Sequence, residues 1–177
     1  MTLDGSKDLA TPLDLAGNLA GTPEEAKQFD FLMGQWTESG FRYDVAGAVQ
    51  LRYEAVWRAE YLHDNRMVLD DFTVVSPSGE ELSTFVTLRT YARATGRWEI
   101  AGLAALQPGM DGQWNGRAVG AEMHSAAEIR MANGSVLHNR ERFHAIERDQ
   151  FLRESHISQD DRATRTLVAS LIANRVF

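Results

Sequence analysis

Leu51-Arg52-Tyr53-Glu54-Ala55-Val56-Trp57-Arg58-Ala59-Glu60-Tyr61 reads with a period of two, broken only at Val56. Arg52, Glu54, Arg58 and Glu60 form one set, and Leu51, Tyr53, Ala55, Trp57, Ala59 and Tyr61 form the other. A period of two is that of a strand with one wet face and one packed face, so the second set points into a core. Around it, turn signals recur about every dozen residues: Val45-Ala46-Gly47, His63-Asp64-Asn65, Ser76-Pro77-Ser78-Gly79, Ala94-Thr95-Gly96, Pro108-Gly109-Met110-Asp111-Gly112, Asn133-Gly134, Glu147-Arg148-Asp149 and Gln159-Asp160-Asp161. The segments between them have strand length. About ten strands are expected, over 35–44, 48–61, 66–75, 82–93, 97–106, 113–123, 126–131, 136–146, 150–158 and 164–175. Such spacing marks an all-β sandwich or barrel and not βαβ units.

Ahead of the strands the pattern differs. Residues 1–21 are rich in Gly, Asp, Leu and Ala and read as a flexible tail, with one domain over 22–177. Thr22-Pro23-Glu24-Glu25 is a helix start: Thr22 as N-cap, Pro23 at the first helical position, and two acids at the positive end of the dipole. Ala26, Phe29, Phe31 and Leu32 make a short apolar stripe, and Gly34 ends the helix.

Bulk composition excludes several classes. The chain has 177 residues, a formal net charge of −7 and no cysteine. The acidic balance argues against nucleic acid and anionic membrane surfaces as partners. Absence of cysteine removes disulfides, thiolate catalysis and cysteine-ligated metals. Met1 to Ala20 carries Asp4, Lys7, Asp8 and Asp14 and no apolar run, unlike a secretory signal, and no stretch approaches the roughly 18 apolar residues that span a bilayer. A cytoplasmic location is expected; a homodimer is left open.

Alternation assigns further faces. Arg97 and Glu99 point out, so Trp98 and Ile100 point in. Trp114, Gly116, Ala118, Gly120 and Glu122 share a face, with His124 just beyond, and the small residues in its middle leave room inside. If Ile146 pairs with Gln150 across Glu147-Arg148-Asp149, Arg142 faces Glu154 and Arg140 faces His156 on an outer face. The opposite face carries Leu137, Asn139, Glu141 and Phe143 with Phe151, Arg153, Ser155 and Ile157, and its apolar content places Glu141 and Arg153 inside.

Phe31-Leu32-Met33-Gly34-Gln35-Trp36 resembles the helix-then-Gly-x-Trp opening of lipocalin-like (calycin) barrels. Tyr91 to Trp98, with Thr95-Gly96, is similar to the middle hairpin of a bacterial lipocalin-like family of unknown function. Asp149-Gln150-Phe151, Ser158-Gln159-Asp160-Asp161 and Thr166-Leu167 are similar to its last hairpin. The likeness spans roughly 29–175. It implies a single antiparallel up-and-down β-barrel whose short N-terminal helix closes one end, with Trp36 packed at the base under Arg175. Two departures stand out: Arg153 where the family has an inward Trp, and Asp161-Arg162 in place of a Gly-Gly turn. A more distant resemblance, to nitrobindin-like barrels, raises haem on a histidine near the C-terminus. His156 is the candidate, but its face is the outer one, and no cofactor is expected.

No metal site is expected either. His138 and His144 sit about 20 Å apart along one strand at about 3.3 Å per residue, and Asp70 and Asp71 point to opposite faces. Tyr53, Trp57, Tyr61 and Trp98 either line a ligand pocket or fill the core, and small barrels do both. Glu38, Glu141, Arg153, Glu122 and His124 are predicted to face in, where charge needs a partner or water. Glu141 with Arg153 is equally readable as a structural ion pair, and Glu122 with His124 as a wet rim. The expected activity is binding of a small hydrophobic or aromatic ligand by Glu38, Tyr53, Trp57, Tyr61, Trp98, Glu141 and Arg153. The alternative is a cofactor-independent cyclase, isomerase or lyase with Glu141, His124, Glu122 or Tyr53 as acid or base.

Overall fold

Strands whose two faces differ in polarity must bury one of them, and closing the sheet on itself does so while removing both edges. The computed structural model, which describes residues 24–105, 110–130, 133–160 and 164–177, shows that solution. Ten antiparallel strands follow one another around a closed barrel, and the last pairs with the first. They are β1 (Gly34–Tyr43), β2 (Val49–Leu62), β3 (Met67–Val75), β4 (Glu81–Ala92), β5 (Arg97–Ala104), β6 (Met110–Val119), β7 (Glu122–Arg130), β8 (Val136–His144), β9 (Gln150–Ser158) and β10 (Thr166–Arg175). A 3-10 helix, Glu24–Leu32, precedes them. Residues 1–21, Thr22 and Pro23 lie outside the described residues. No described helix is long and apolar enough to cross a membrane.

The helix plugs one end. Ala26, Phe29 and Leu32 are buried, and Phe29 meets Trp98 edge-on at 4.7 Å. Tyr61 donates its hydroxyl to the Ala26 carbonyl, 3.0 Å, and to Asp30. Trp98 donates Nε1 to Gln28, 2.9 Å. Trp36 is fully buried and donates Nε1 to the Leu32 carbonyl, 2.8 Å. As expected, the Arg175 guanidinium stacks on Trp36, 4.1 Å from the ring centre. It also donates to the carbonyls of Phe31, Met33 and Arg148, tying the end of the last strand to the helix and the β8–β9 turn. Such charged hydrogen bonds to backbone make Arg175 the latch of the base.

One register expectation fails. The sequence reading ran a strand straight through 113–123, whereas the chain reverses over Gly120 and Ala121, Gly120 taking φ +62°. Val119 pairs with Glu122, Ala118 with Met123 and Gly116 with Ser125. A two-residue hairpin sets even positions of one strand against odd positions of the next, so the inward set switches from Gly116 to Met123, Ser125 and Ala127. Glu122 and His124 therefore point outward. The small residues do not open the interior either. A Cβ on Gly116 would meet Ile100 and Trp98 at 3.2 and 3.3 Å, so that space is taken. Gly120 lies in the turn, and Ala118 is exposed.

Candidate functional site

Away from the helix the barrel opens into a cavity of about 410 Å³. Tyr53, Phe72, Val74, Phe85 and Leu171 form its apolar walls, and Arg42, Gln50, Arg153 and Ser155 supply polar groups. Tyr53 reaches its position because the facing residue is Gly40: a Cβ there would lie 2.4 Å from the Tyr53 ring. Deeper lies a chamber of about 80 Å³ bounded by Trp57, Asp70, Phe85, Thr87, Arg89, Ile100, Trp114, Ser125, Glu141, Phe143 and Arg153. Phe85 and Arg153 line both spaces, so they form the wall between them.

Two ion pairs hold this interior together. Arg153 donates to Glu141, whose other oxygen accepts from Ser125, 3.3 Å. The Arg153 guanidinium also lies 5.6 Å from the Trp57 ring centre and 5.9 Å from those of Phe72 and Phe143. Burial weighs against its charge, but Glu141, with help from Glu38 and Tyr53, outweighs it and holds the guanidinium above its ordinary range. The predicted inward pair is thus present, on a hairpin whose register matches expectation: Arg142 opposite Glu154, Arg140 opposite His156.

The second pair was not anticipated. Asp70 and Arg89, almost fully buried, are in contact, and Trp57 donates Nε1 to Asp70, 3.0 Å. Burial pulls the Arg89 guanidinium below its ordinary range; Glu141 opposes this and Arg153 reinforces it. The signal was Asp70-Asp71 itself. Two acids adjacent in a strand cannot both face water, so one requires a cation inside.

Glu38 lies next along β1 from the Gly40–Tyr53 pair, opposite Ala55 and Ala173. It is 1% exposed and neither carboxyl oxygen has a hydrogen-bond partner. Burial pushes its carboxyl up to about 8, against the pull of Arg153, so it carries a proton at neutral pH. Burial likewise raises the Tyr53 hydroxyl, Arg153 again opposing.

Other expected site residues lie elsewhere. Trp98 and Tyr61 face inward but belong to the helix-plugged base, where burial and the Asp30 hydrogen bond raise the Tyr61 hydroxyl. Trp57 bounds the inner chamber. Glu122 and His124 bond each other on the outer face, 2.8 Å, beside Arg142. Arg142, with His124 helping, holds the Glu122 carboxyl down to about 2. This cluster belongs to an outer groove of about 810 Å³ that also includes Arg97, Arg117, Arg140, Glu154, His156 and Arg165. The groove is larger than the mouth cavity, but it is walled by charge, so an apolar molecule would gain little there. His156, the residue raised by the haem resemblance, is on this outer side. Among the described residues no group of three or more His, Asp or Glu is arranged to hold a metal ion.

No protein-family model matches the chain, and no curated protein matches it. Solved structures do. Rv2717c from M. tuberculosis is 11% identical, the match covering 89% of this chain and 100% of that one with a TM-score of 0.63. The S-type phycobiliprotein lyase CPES from Guillardia theta is 14% identical over 84% of this chain and 90% of that one, with a TM-score of 0.55. Identity this low speaks for the fold alone. By fold, then, this chain is a lipocalin-like barrel, with ten antiparallel strands closed upon themselves.

Proposed function

We propose that the barrel binds a small, largely aromatic molecule through its open end. The observation that carries this is the mouth cavity, whose about 410 Å³ falls in the range of roughly 300–1,000 Å³ common for small-molecule sites. Its two sides differ in chemistry. Tyr53, Phe72, Val74 and Phe85 offer flat apolar contact. On the other side lie Arg42, Arg153 and Ser155, whose hydroxyl accepts from Asn139, 3.0 Å. A flat molecule with one polar end fits such a site, its ring desolvated and its polar atoms held. Glu38, an expected ligand contact, lines neither space and is buried in the wall behind.

The test is a titration of intrinsic tryptophan fluorescence with 2-acetonaphthone, a neutral aromatic ketone. Saturable one-to-one quenching, weakened when Phe72→Ala opens the apolar wall, supports the reading. Quenching that never saturates, or that Phe72→Ala leaves unchanged, contradicts it. A catalytic use of the cavity would rest on Glu141 and Tyr53 alone among the four acid–base candidates first considered on the strands, because Glu122 and His124 are outside. Glu141 already has both oxygens engaged, by Arg153 and Ser125, which favours binding over proton transfer. Glu141→Gln separates the two readings, abolishing turnover if the cavity is catalytic and changing only affinity or stability if it binds.

A further inference from the structure

The inner chamber has an excess of hydrogen-bond donors. One terminal nitrogen of Arg89 lies against Asp70, without a hydrogen bond, and one of Arg153 donates to Glu141. Their Nε–H groups are both buried without a hydrogen-bond partner, and both residues line the chamber. Three of the nearby acceptors are occupied, Glu141 Oε1 by Arg153, Glu141 Oε2 by Ser125 and Asp70 Oδ1 by Trp57, and the fourth, Asp70 Oδ2, makes no hydrogen bond but lies against the Arg89 guanidinium. A buried N–H without an acceptor is costly, so a chamber with two of them is shaped for an oxygen from outside. Charge narrows the choice. The two arginines are balanced by two carboxylates, so an incoming anion would stand uncompensated beside Asp70 and Glu141, whereas a neutral oxygen would not. Size narrows it again. About 80 Å³ is room for a few heavy atoms at the roughly 30 Å³ that a water occupies, and too little for an aromatic ring.

We propose that this chamber is the polar subsite of the ligand and takes a neutral carbonyl oxygen, carried on an aromatic molecule whose ring lies in the mouth cavity, with Arg153 and Phe85, which line both spaces, giving way between them. This rests on the reading of the mouth as a ligand site and adds the chemistry of the ligand's inner end.

The test compares 2-acetonaphthone with 2-isopropenylnaphthalene, which has the same shape but a methylene in place of the carbonyl oxygen. Both are titrated against tryptophan fluorescence. The ketone should bind the unaltered protein at least about tenfold more tightly, the worth of a hydrogen bond to a charged donor. Arg89→Lys keeps a cation beside Asp70 but has no Nε–H, and Ser125→Leu fills the chamber. Each should bring the ratio toward one. Equal affinities for the unaltered protein would overturn the proposal while leaving the mouth site standing, and this comparison needs no variant to fold. A preference that survives both substitutions, in proteins of unchanged near-ultraviolet circular dichroism, would also overturn it. If neither probe binds, the mouth site falls and the subsite with it.

Discussion

Glu38→Gln should remove a pH dependence of stability that is written into the buried carboxyl. In the folded chain Glu38 holds its proton until about pH 8, while in the unfolded chain it releases it near the ordinary 4.5. Between those values the unfolded state binds fewer protons than the folded state, so stability falls as pH rises. Below 4.5 the penalty is absent, and above about 8 it is constant. At about 1.4 kcal/mol per pH unit the whole interval amounts to about 5 kcal/mol. Glutamine has nearly the same shape and no charge to lose. Urea unfolding of both proteins at several pH values gives the difference directly, without requiring glutamine to be neutral in its own packing. That difference should move in favour of Glu38→Gln by about 4 kcal/mol from pH 5 to pH 8, then level off. A difference that stays flat across this range would show that Glu38 is ionised in the folded barrel, and the argument from its burial would be wrong.

Other substitutions test other joints. Gly40→Ala puts a methyl group into the Tyr53 ring, which must move; thermal unfolding should show a loss of about 1–3 kcal/mol, and the near-ultraviolet dichroism of Tyr53 should change. An unchanged spectrum would mean that the ring does not rest on Gly40. Arg175→Ala removes the Trp36 stack and three hydrogen bonds to backbone carbonyls, and should lower stability by about 3 kcal/mol in urea unfolding; a neutral result would deny the latch at the base. Glu122→Gln and His124→Gln, on the outer wall, should leave the affinity for 2-acetonaphthone unchanged in the fluorescence titration; a several-fold loss in either would move the site outside the barrel.

Alternation made the barrel legible because most strands differ sharply between faces. Arg52, Glu54, Arg58 and Glu60 leave no doubt about β2, and the apolar partners of Glu141 and Arg153 carried those charges inside correctly. It failed where the chain turned unannounced. Gly120-Ala121 has none of the Asn-Gly or Asp-Gly character of a tight hairpin, so the reading ran through it and assigned Glu122 and His124 to the wrong face. Arg89 was missed for another reason. In Phe85-Val86-Thr87-Leu88-Arg89-Thr90 both faces carry apolar or β-branched residues, and an arginine in such a run defaults to solvent. Only its partner across β3 shows otherwise, and pairing between strands is not readable from one strand's pattern. Tyr61 and Trp98 were placed inward correctly, but alternation along a strand does not say which end of the barrel a residue occupies. The helix contacts through Ala26, Gln28 and Asp30 settle that.

The central claim is that the open end of the barrel is a small-molecule site, and a crystal structure of the protein soaked with 2-acetonaphthone tests it most directly. The naphthalene ring should lie inside the mouth against Tyr53, Phe72 and Phe85, with its carbonyl oxygen beyond Arg153, within hydrogen-bonding distance of Arg89 or Arg153 Nε. A ring bound in the outer groove among Arg117, His124 and Arg142, with the mouth cavity holding no probe, would contradict it.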